Sequence, residues 1–480
     1  MIKNEQPKEI NAADLPLAVG RDVKTPRYLQ LANQLQALID SRTLRAGTKL
    51  PPSRALALTL GLNRNTVVAA FERLTSLGLI ESRGRRGSIV CDVARPSTPS
   101  SRPRLRRGNR EVRPAANRID FRMGFADPSP LPLKAWRRAC REAGRRLPDA
   151  DYGDPRGDVG LRTQIAMYLG RTRSMRVDPN QVMITAGSGR AVERIAEVWL
   201  RPKDNAAVEE PGYPRAASVF ERCGARLVPV PVDEEGINTD FLIAGKRAIR
   251  LIHVTPSHQY PLGARLSLAR RNSLLQWARQ SGALIIENDY DGEFRYGITP
   301  LPALGALAGF DHIAYVGTFS KVLSPAIRLG FVVTRIDLVA AMAELVAQAR
   351  DSVSIVTQRI ITWLISSGEL EKHVRRVRRN YAARRTTMLQ ALSDLPHIQS
   401  VTGQAAGLHV VVKLRGEARP GTLAARLERH GVVADRVADF QLGRRSDDRV
   451  LMAYGHLTES DIVEGVRRFG AAVRGVAPGT

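Results

Sequence analysis

Residues 93–118 read VARPSTPSSRPRLRRGNREVRPAANR, and no other feature limits so strongly what this 480-residue chain can fold into. The stretch carries eight arginines, four prolines and one glutamate, with almost no large apolar side chains. It cannot bury enough surface to offset the entropy of ordering it, so it reads as a flexible linker whose arginines could also track a phosphate backbone. One continuous core is therefore excluded. The chain divides into a compact stretch, 22–92, and a body, 119–480, in line with a length that suits two or three domains.

The two sides of the linker have different periodicities. In YLQLANQLQALID, Leu31, Leu35, Leu38 and Ile39 share one helical face. A turn at Arg45-Ala46-Gly47 follows, and Pro52 with Ser53 marks a second helix start, since serine caps free amides and proline precedes it cheaply. That helix, 53–60, stops at Gly61, a residue suited to a left-handed cap. A third helix begins near Asn63 or Asn65 and ends at Gly78, with Val67, Phe71 and Leu74 as its buried stripe. Two short helices joined by a few residues are helix-turn-helix geometry, which places Arg64, Asn65 and Thr66 where side chains reach base edges and amides reach phosphate. LIESRGRRGSIV, 79–90, reads as two strands around a basic turn, a wing with Arg83, Arg85 and Arg86 set for the DNA backbone or minor groove.

The charge balance agrees. Lys and Arg total 73 against 47 acidic residues, a formal net charge of +26. Such an excess favours a polyanion, and duplex DNA is the expected partner, although solubility alone would also account for it. Three widely spaced cysteines, Cys91, Cys140 and Cys223, argue against a disulfide framework or a zinc site and fit a reducing compartment. There is no apolar signal segment and no apolar run near the roughly 18 residues that span a bilayer, so the expectation is a soluble cytoplasmic protein.

Beyond residue 119 short apolar runs alternate with helical patterns: VMIT (182–185), AAVEE (206–210), RLVPVPV (226–232), IRLIHVT (249–255), ALIIEND (283–289), HIAYVGT (312–318) and LGFVVT (329–334). Such runs, apolar on both faces with helices between, predict an α/β domain around a mostly parallel sheet. From about residue 355, long basic amphipathic helices, LHVVVKL (408–414), VLMAY (450–454) and a closing helix predict a smaller α+β lobe.

Several motifs in this body fit one chemistry. GTFSKVLSPAIRLGF (317–331) places Lys321 after a strand among small hydroxyl residues, with Arg328 seven residues on. Lys321 is suited to a Schiff base with a cofactor aldehyde, with Thr318, Ser320 and Arg328 on its phosphate. VMITAGSGRAVERIAEVWL (182–200) is strand, glycine turn and helix, which sets Gly187 and Ser188 at a helix N-terminus, a ready anion site. PGYPR (211–215) offers Tyr213 for stacking on a ring and Arg215 for pairing with a ligand carboxylate. In IIENDYDGEFRY (285–296), Asn288, Asp289 and Tyr290 end an acidic strand where polar groups could hold a pyridine nitrogen and a ring hydroxyl.

The stretch AGTKLPPSRALALTLGLNRNTVVAAFERLTSLGLIESRGRRGSIV (46–90) resembles the GntR class of winged helix-turn-helix regulators. The resemblance implies DNA contacts from Ser53 and Arg54 as well. Nearly everything after residue 119 resembles fold-type I aminotransferases, which implies pyridoxal 5'-phosphate as cofactor. YGDPRGDVGLR (152–162) and TPSHQYPLG (255–263) look like hallmarks of the MocR group, which fuses these two parts. That likeness implies a head-to-tail homodimer in which Tyr152 reaches the phosphate bound by the partner subunit. It also implies that His258, Gln259 and Tyr260 line the cofactor's O3 side.

Two positions depart from the group's pattern. Where the group usually has Glu-Asp-Asp-Tyr, this chain has Glu287-Asn288-Asp289-Tyr290. Strand alternation sets 288 and 290 on one face, so either an amide replaces the carboxylate or a shift of one residue brings in Asp289. Where the group often carries an arginine for a ligand carboxylate, this chain has Leu451-Met452-Ala453-Tyr454. Arg449 then substitutes from the same strand face, or the effector is not an ordinary α-amino acid. Three functions follow as expectations: a regulator responsive to pyridoxal phosphate or to a small amine or amino acid, a working aminotransferase with a DNA-binding head, or a DNA-binding protein with a cofactor-free scaffold.

Overall fold

The computed structural model describes residues 10–20, 25–82, 87–91, 118–148, 150–297, 301–416, 422–443 and 447–474. The chain separates into two compact units, within residues 1–111 and 112–480. Residues 93–117 of the arginine-rich stretch, and the wing residues Arg83, Arg85 and Arg86, lie outside the described residues.

In the first unit the predicted order is realised as α1 (Arg27–Asp40), α2 (Ser53–Leu60), α3 (Arg64–Ser76), β1 (Ile80–Ser82) and β2 (Ser88–Val90). Leu31 and Leu35 of α1, Leu56 of α2, Val67 and Leu74 of α3, and Ile80 and Val90 of the strands close one core. Gly61 adopts the left-handed conformation (φ 60°) that ends α2. Asn63 caps α3, its side-chain oxygen accepting from the Asn65 amide at 2.9 Å. β1 and β2 pair antiparallel with Ile80 opposite Val90.

Three details differ from the sequence reading. Pro52, not Ser53, stands at the N-cap of α2, and no side chain caps that end, so the Ser53 hydroxyl is not consumed by the helix. Ala70 takes the deep position on α3 and Phe71, half-buried, packs at the edge of the same core; both fit the helical period, so spacing alone does not separate them. The core also starts before residue 22, since Leu15 is buried in it.

The body is built on an eight-stranded sheet of β3 (Val182–Thr185), β4 (Asn205–Glu210), β5 (Arg226–Asp233), β6 (Gly236–Ile237), β7 (Ile249–Val254), β8 (Leu284–Asp289), β9 (Ile313–Thr318) and β10 (Gly330–Val333). Its spatial order is β3-β10-β9-β8-β7-β4-β5-β6. Strands β9, β8, β7, β4 and β5 run parallel, whereas β10 is antiparallel to both β9 and β3, and β6 is antiparallel to β5. Residues 319–329 between β9 and β10 are too few for a helical crossover, which needs a dozen or more residues, so β10 returns against its neighbour. The sheet is therefore mixed with a parallel centre. Alternate residues go to opposite faces: Leu284 and Ile286 enter one apolar layer and Ile285 the other, which is why these strands are continuously apolar in sequence.

Helices α4 (Val159–Arg173) and α5 (Ser188–Trp199) flank β3, and the long α6 (Glu369–Ser393) leads into the C-terminal lobe. There β11 (Ile398–Thr402), β12 (His409–Leu414), β13 (Asp435–Arg436) and β14 (Val450–Ala453) form an antiparallel sheet ordered β11-β12-β14-β13. The closing helix α7 (Glu459–Val473) packs on α6. Among the described residues no helix is long and apolar enough to cross a membrane.

Candidate functional site

The carboxyl ends of the parallel strands, where α/β folds bind ligands, open into a cavity of about 240 Å³. Each flanking segment contributes one kind of group: Tyr213 after β4, Thr255 and Tyr260 after β7, Asn288 from β8, Tyr290 just beyond it, and Thr318 from the end of β9. Ser320, Lys321 and Arg328 come from the loop to β10, and Gly187 and Ser188 from the start of α5. Arg215 also lines this cavity, with its side chain half exposed and 4.0 Å from Glu193.

At one end, the first turn of α5 presents backbone amides beside Ser320 and the Arg328 guanidinium, an arrangement that suits a phosphate. Thr318 Oγ1 donates to Ser320 Oγ at 3.0 Å, which ties the two hydroxyls together. Gly189, next in the turn, lets the Arg215 side chain lie close against the backbone, since an added Cβ would lie 2.4 Å from Arg215 Nε and displace it.

Asn288 stands at the other end. Its Nδ2 donates to His253 Nε2 at 3.2 Å. Burial lowers His253 to about 3, so the imidazole is neutral and can accept this bond. The consequence is an oriented amide: Asn288 Oδ1 is left buried with no hydrogen-bond partner. An orphaned acceptor at this depth is expected to meet a donor, and a protonated ring nitrogen would supply one. Tyr213 packs in the same wall, its ring stacked on His253 at 5.7 Å and edge-on to Tyr260 at 5.5 Å.

Lys321 lies between these ends. Its Nζ donates to the Gly124 carbonyl at 2.6 Å, and burial lowers its ammonium from an ordinary 10.5 to about 8, opposed only by Asp291. A lysine so placed has a substantial neutral fraction near neutral pH, which an amine nucleophile requires. In the apoprotein, capture of pyridoxal phosphate by Lys321 is expected to quicken with pH and level off above about 8. Stopped-flow absorbance measures this; a rate still climbing at pH 10 would show an ordinary lysine.

Several predicted residues lie elsewhere. Asp289 points to the opposite side of β8, where its Oδ2 accepts from Arg173 Nε at 2.8 Å and from the Tyr315 hydroxyl at 2.7 Å. Strand alternation thus leaves Asn288 and Tyr290, not Asp289, on the cavity side. Arg449 is not a lining residue; Asp447 holds its Nε at 3.0 Å and its Nη2 at 2.5 Å. Leu451 is buried with Val411 and Val437, beside Leu262 and Phe440. Tyr152 is two-thirds exposed, away from the cavity of its own chain, and its hydroxyl accepts from Arg350 at 3.3 Å. Gln259 faces backward, donating to Glu209 at 3.3 Å and to the Pro211 carbonyl at 2.9 Å, so it braces the β4 and β7 ends. His258 sits behind Tyr290, with Nδ1 3.0 Å from the tyrosine oxygen and 2.9 Å from Asp291 Oδ2.

Sequence reasoning missed Gly124, Thr255, His253 and Asp291. A single glycine arriving from the start of the body has no local signal, and neither does a histidine in a buried strand. Asp291, three residues beyond the oriented amide, lies within the acidic motif 285–296.

On the first unit, Arg54, Arg64 and Asn65 are exposed and Ser53 and Thr66 half-exposed, all at the N-terminal ends of α2 and α3. The helix-turn-helix thus keeps every described residue of the predicted DNA-contacting set in reach of solvent.

Comparison with known proteins gives the same division. Residues 27–90 match the family described as bacterial regulatory proteins, gntR family, and residues 120–469 match aminotransferase class I and II. An HTH-type transcriptional regulator of Bacillus subtilis, YhdI, is 32% identical over 96% of this chain and 98% of its own length. The chain belongs to the MocR-type transcription regulators.

The same family contains the pyridoxine biosynthesis regulator PdxR of Corynebacterium glutamicum, 30% identical over 94% of this chain and 96% of that protein. Among solved structures, α-aminoadipate aminotransferase LysN of Thermus thermophilus matches with a TM-score of 0.69 and 28% identity, covering 75% of this chain and 93% of that one. Membership makes the first unit a DNA-binding domain and the second a fold-type I aminotransferase-like domain whose cofactor is pyridoxal phosphate. The orphaned Asn288 oxygen and the Arg328 end of the cavity suit that cofactor's ring nitrogen and phosphate.

Proposed function

We propose that this chain is a ligand-responsive regulator of the cytoplasm, acting as a head-to-tail homodimer on a duplex DNA operator. The body senses pyridoxal phosphate, or a small amine or amino acid that reacts with it. Lys321 is the attachment point, Gly187, Ser188, Thr318, Ser320 and Arg328 take the phosphate, Tyr213 covers the ring, and Asn288, Tyr290 and Tyr260 hold its polar edge. Arg215 at the cavity mouth takes an effector carboxylate, and the exposed Tyr152 completes the cavity of the partner subunit. The cofactor, when bound, supplies an aldehyde that captures amines and a ring that withdraws electrons.

One observation favours sensing over steady turnover. The cavity-facing group at the end of β8, where a ring nitrogen would lie, is the neutral amide of Asn288, fixed by neutral His253. An amide accepts a hydrogen bond from a protonated ring but does not hold the proton there as a carboxylate does, so the ring is a weaker electron sink. Leu451, in an apolar cluster, offers no second cation for an amino acid.

Footprinting upstream of the neighbouring genes, with and without cofactor and a panel of amines, tests the proposal. Operator affinity or footprint should change with cofactor or with one amine, because an effector shifts only an equilibrium whose states it binds differently. Identical footprints under all conditions would overturn the sensing role, and sustained amino transfer at ordinary enzymatic rates would replace it with catalysis. Arg64→Ala should relax base preference at one position per half-site, a loss of about 1–3 kcal/mol in discrimination. Unchanged selectivity would remove α3 from the groove.

A further inference from the structure

On the far side of β8 from the cofactor cavity is a second cavity of about 440 Å³, walled by α4, the segment after β8 and the first turns of α6. Four guanidinium groups line it, from Arg173, Arg295, Arg375 and Arg378, against two carboxylates, from Glu293 and Glu371. The charges are unevenly used. Arg173 is held by Asp289 at 2.8 Å and by Glu293 at 3.0 Å, and Tyr168 donates to the same Glu293 oxygen at 3.3 Å. Arg378 Nε donates to the Glu293 carbonyl at 2.9 Å. Arg171 takes one oxygen of Glu371 at 2.7 Å.

Two kinds of group are left over. Arg295 and Arg375 have no carboxylate within ion-pair distance among the described residues, and Arg295 is held below the ordinary guanidinium range by burial and then by repulsion from Arg173. Glu371 Oε2 is buried and accepts nothing. The cavity therefore holds unspent cationic donors together with one unspent acceptor. A carboxylate satisfies only the donors. A phosphate that keeps a proton satisfies both, its charged oxygens accepting from the arginines and its hydroxyl donating to Glu371.

We infer that this cavity is a second ligand site, for a phosphate group, distinct from the cofactor's phosphate cradle at α5. Its position gives it leverage. Arg173 is bonded to Asp289, the neighbour of Asn288 on β8, and Arg375 and Arg378 ride on α6, which runs on into the C-terminal lobe. A phosphate here braces α6 against the strand that carries the cofactor-facing amide.

The test is calorimetric titration of the full chain saturated with pyridoxal phosphate, so that the cofactor cradle is already filled. Inorganic phosphate in one arm and glycerol 3-phosphate in another separate the free ion from a phosphate ester. Wild type should bind at least one of them saturably, one per chain. Arg295→Ala and, independently, the exposed Arg375→Ala should each weaken binding by at least about tenfold. Retained cofactor absorbance shows that each variant is folded; if Arg295→Ala is not, Arg375→Ala decides. Wild-type binding in the folded variants, or no saturable binding of either probe, overturns the inference. So does a change in oligomeric state with phosphate affinity unaltered, which would make the cavity a contact between copies.

Discussion

Replacement of Lys321 by alanine is expected to abolish covalent attachment of pyridoxal phosphate completely. Borohydride treatment of the wild type should fix the cofactor to the peptide carrying Lys321, and the variant should show no such adduct and no Schiff-base absorbance. Apparent cofactor affinity should also fall by more than about a hundredfold, roughly 2.8 kcal/mol, because a covalent link is exchanged for non-covalent contacts alone. The fold should survive. Lys321 is half-buried, its amine makes one hydrogen bond to Gly124, and its loss removes a group whose charged form burial already disfavours. An adduct that persists in Lys321→Ala, on another lysine, would displace Lys321 from the centre of the site and with it the cofactor orientation proposed above.

The second large effect is expected in the other unit. Leu35 is fully buried where α1 meets the core of the DNA-binding head. Truncating such a side chain costs about 2–5 kcal/mol, the lost transfer energy plus the cavity left behind. A domain this small has a total stability of only about 5 kcal/mol, so Leu35→Ala should leave much of the head unfolded. Operator affinity then falls by the folded fraction, or disappears. The body has its own apolar layers, none of which includes a residue of the head. Its visible absorbance and its thermal transition should therefore stay at wild-type values. A common loss of DNA binding and cofactor absorbance would mean that the two units do not fold independently.

The division of labour between the phosphate cavity and the cofactor cavity depends on β8. Its residues alternate in role as well as direction: Asn288 serves one side and Asp289 the other. An amide at 288 with a carboxylate kept at 289 leaves the strand acidic in composition yet neutral toward the cavity.

Local pattern was legible because its causes are local. A helix declares itself through neighbours three and four residues apart, and a buried strand through a short unbroken apolar run. That is why α1 to α3, the wing strands, the central strands and the stop at Gly61 could all be read directly. So could the membership of the cofactor cavity for Gly187, Ser188, Tyr213, Thr318, Ser320, Lys321 and Arg328, whose motifs each sit at the end of a strand or the start of a helix. Strand alternation left Asn288 and Asp289 as alternatives for the cavity side, and only the packed strand separated them.

The tertiary structure decided what depends on sheet order and on partners far along the chain. Asp289 is taken by Arg173, 116 residues away, and Lys321 is met by Gly124, 197 residues away. No periodicity records such pairings, because they arise only when β8 is placed between β7 and β9 and the start of the body is laid across their ends. The same applies to Arg449, whose charge is spent on Asp447 two residues earlier, and to His253, whose neutrality is a product of complete burial. The sequence alone determined a two-part chain, a DNA-binding head and a lysine suited to a pyridoxal phosphate aldehyde. Only the packed strands determined which polar groups face the cavity, because burial and long-range contact, not residue type, set their orientation and charge.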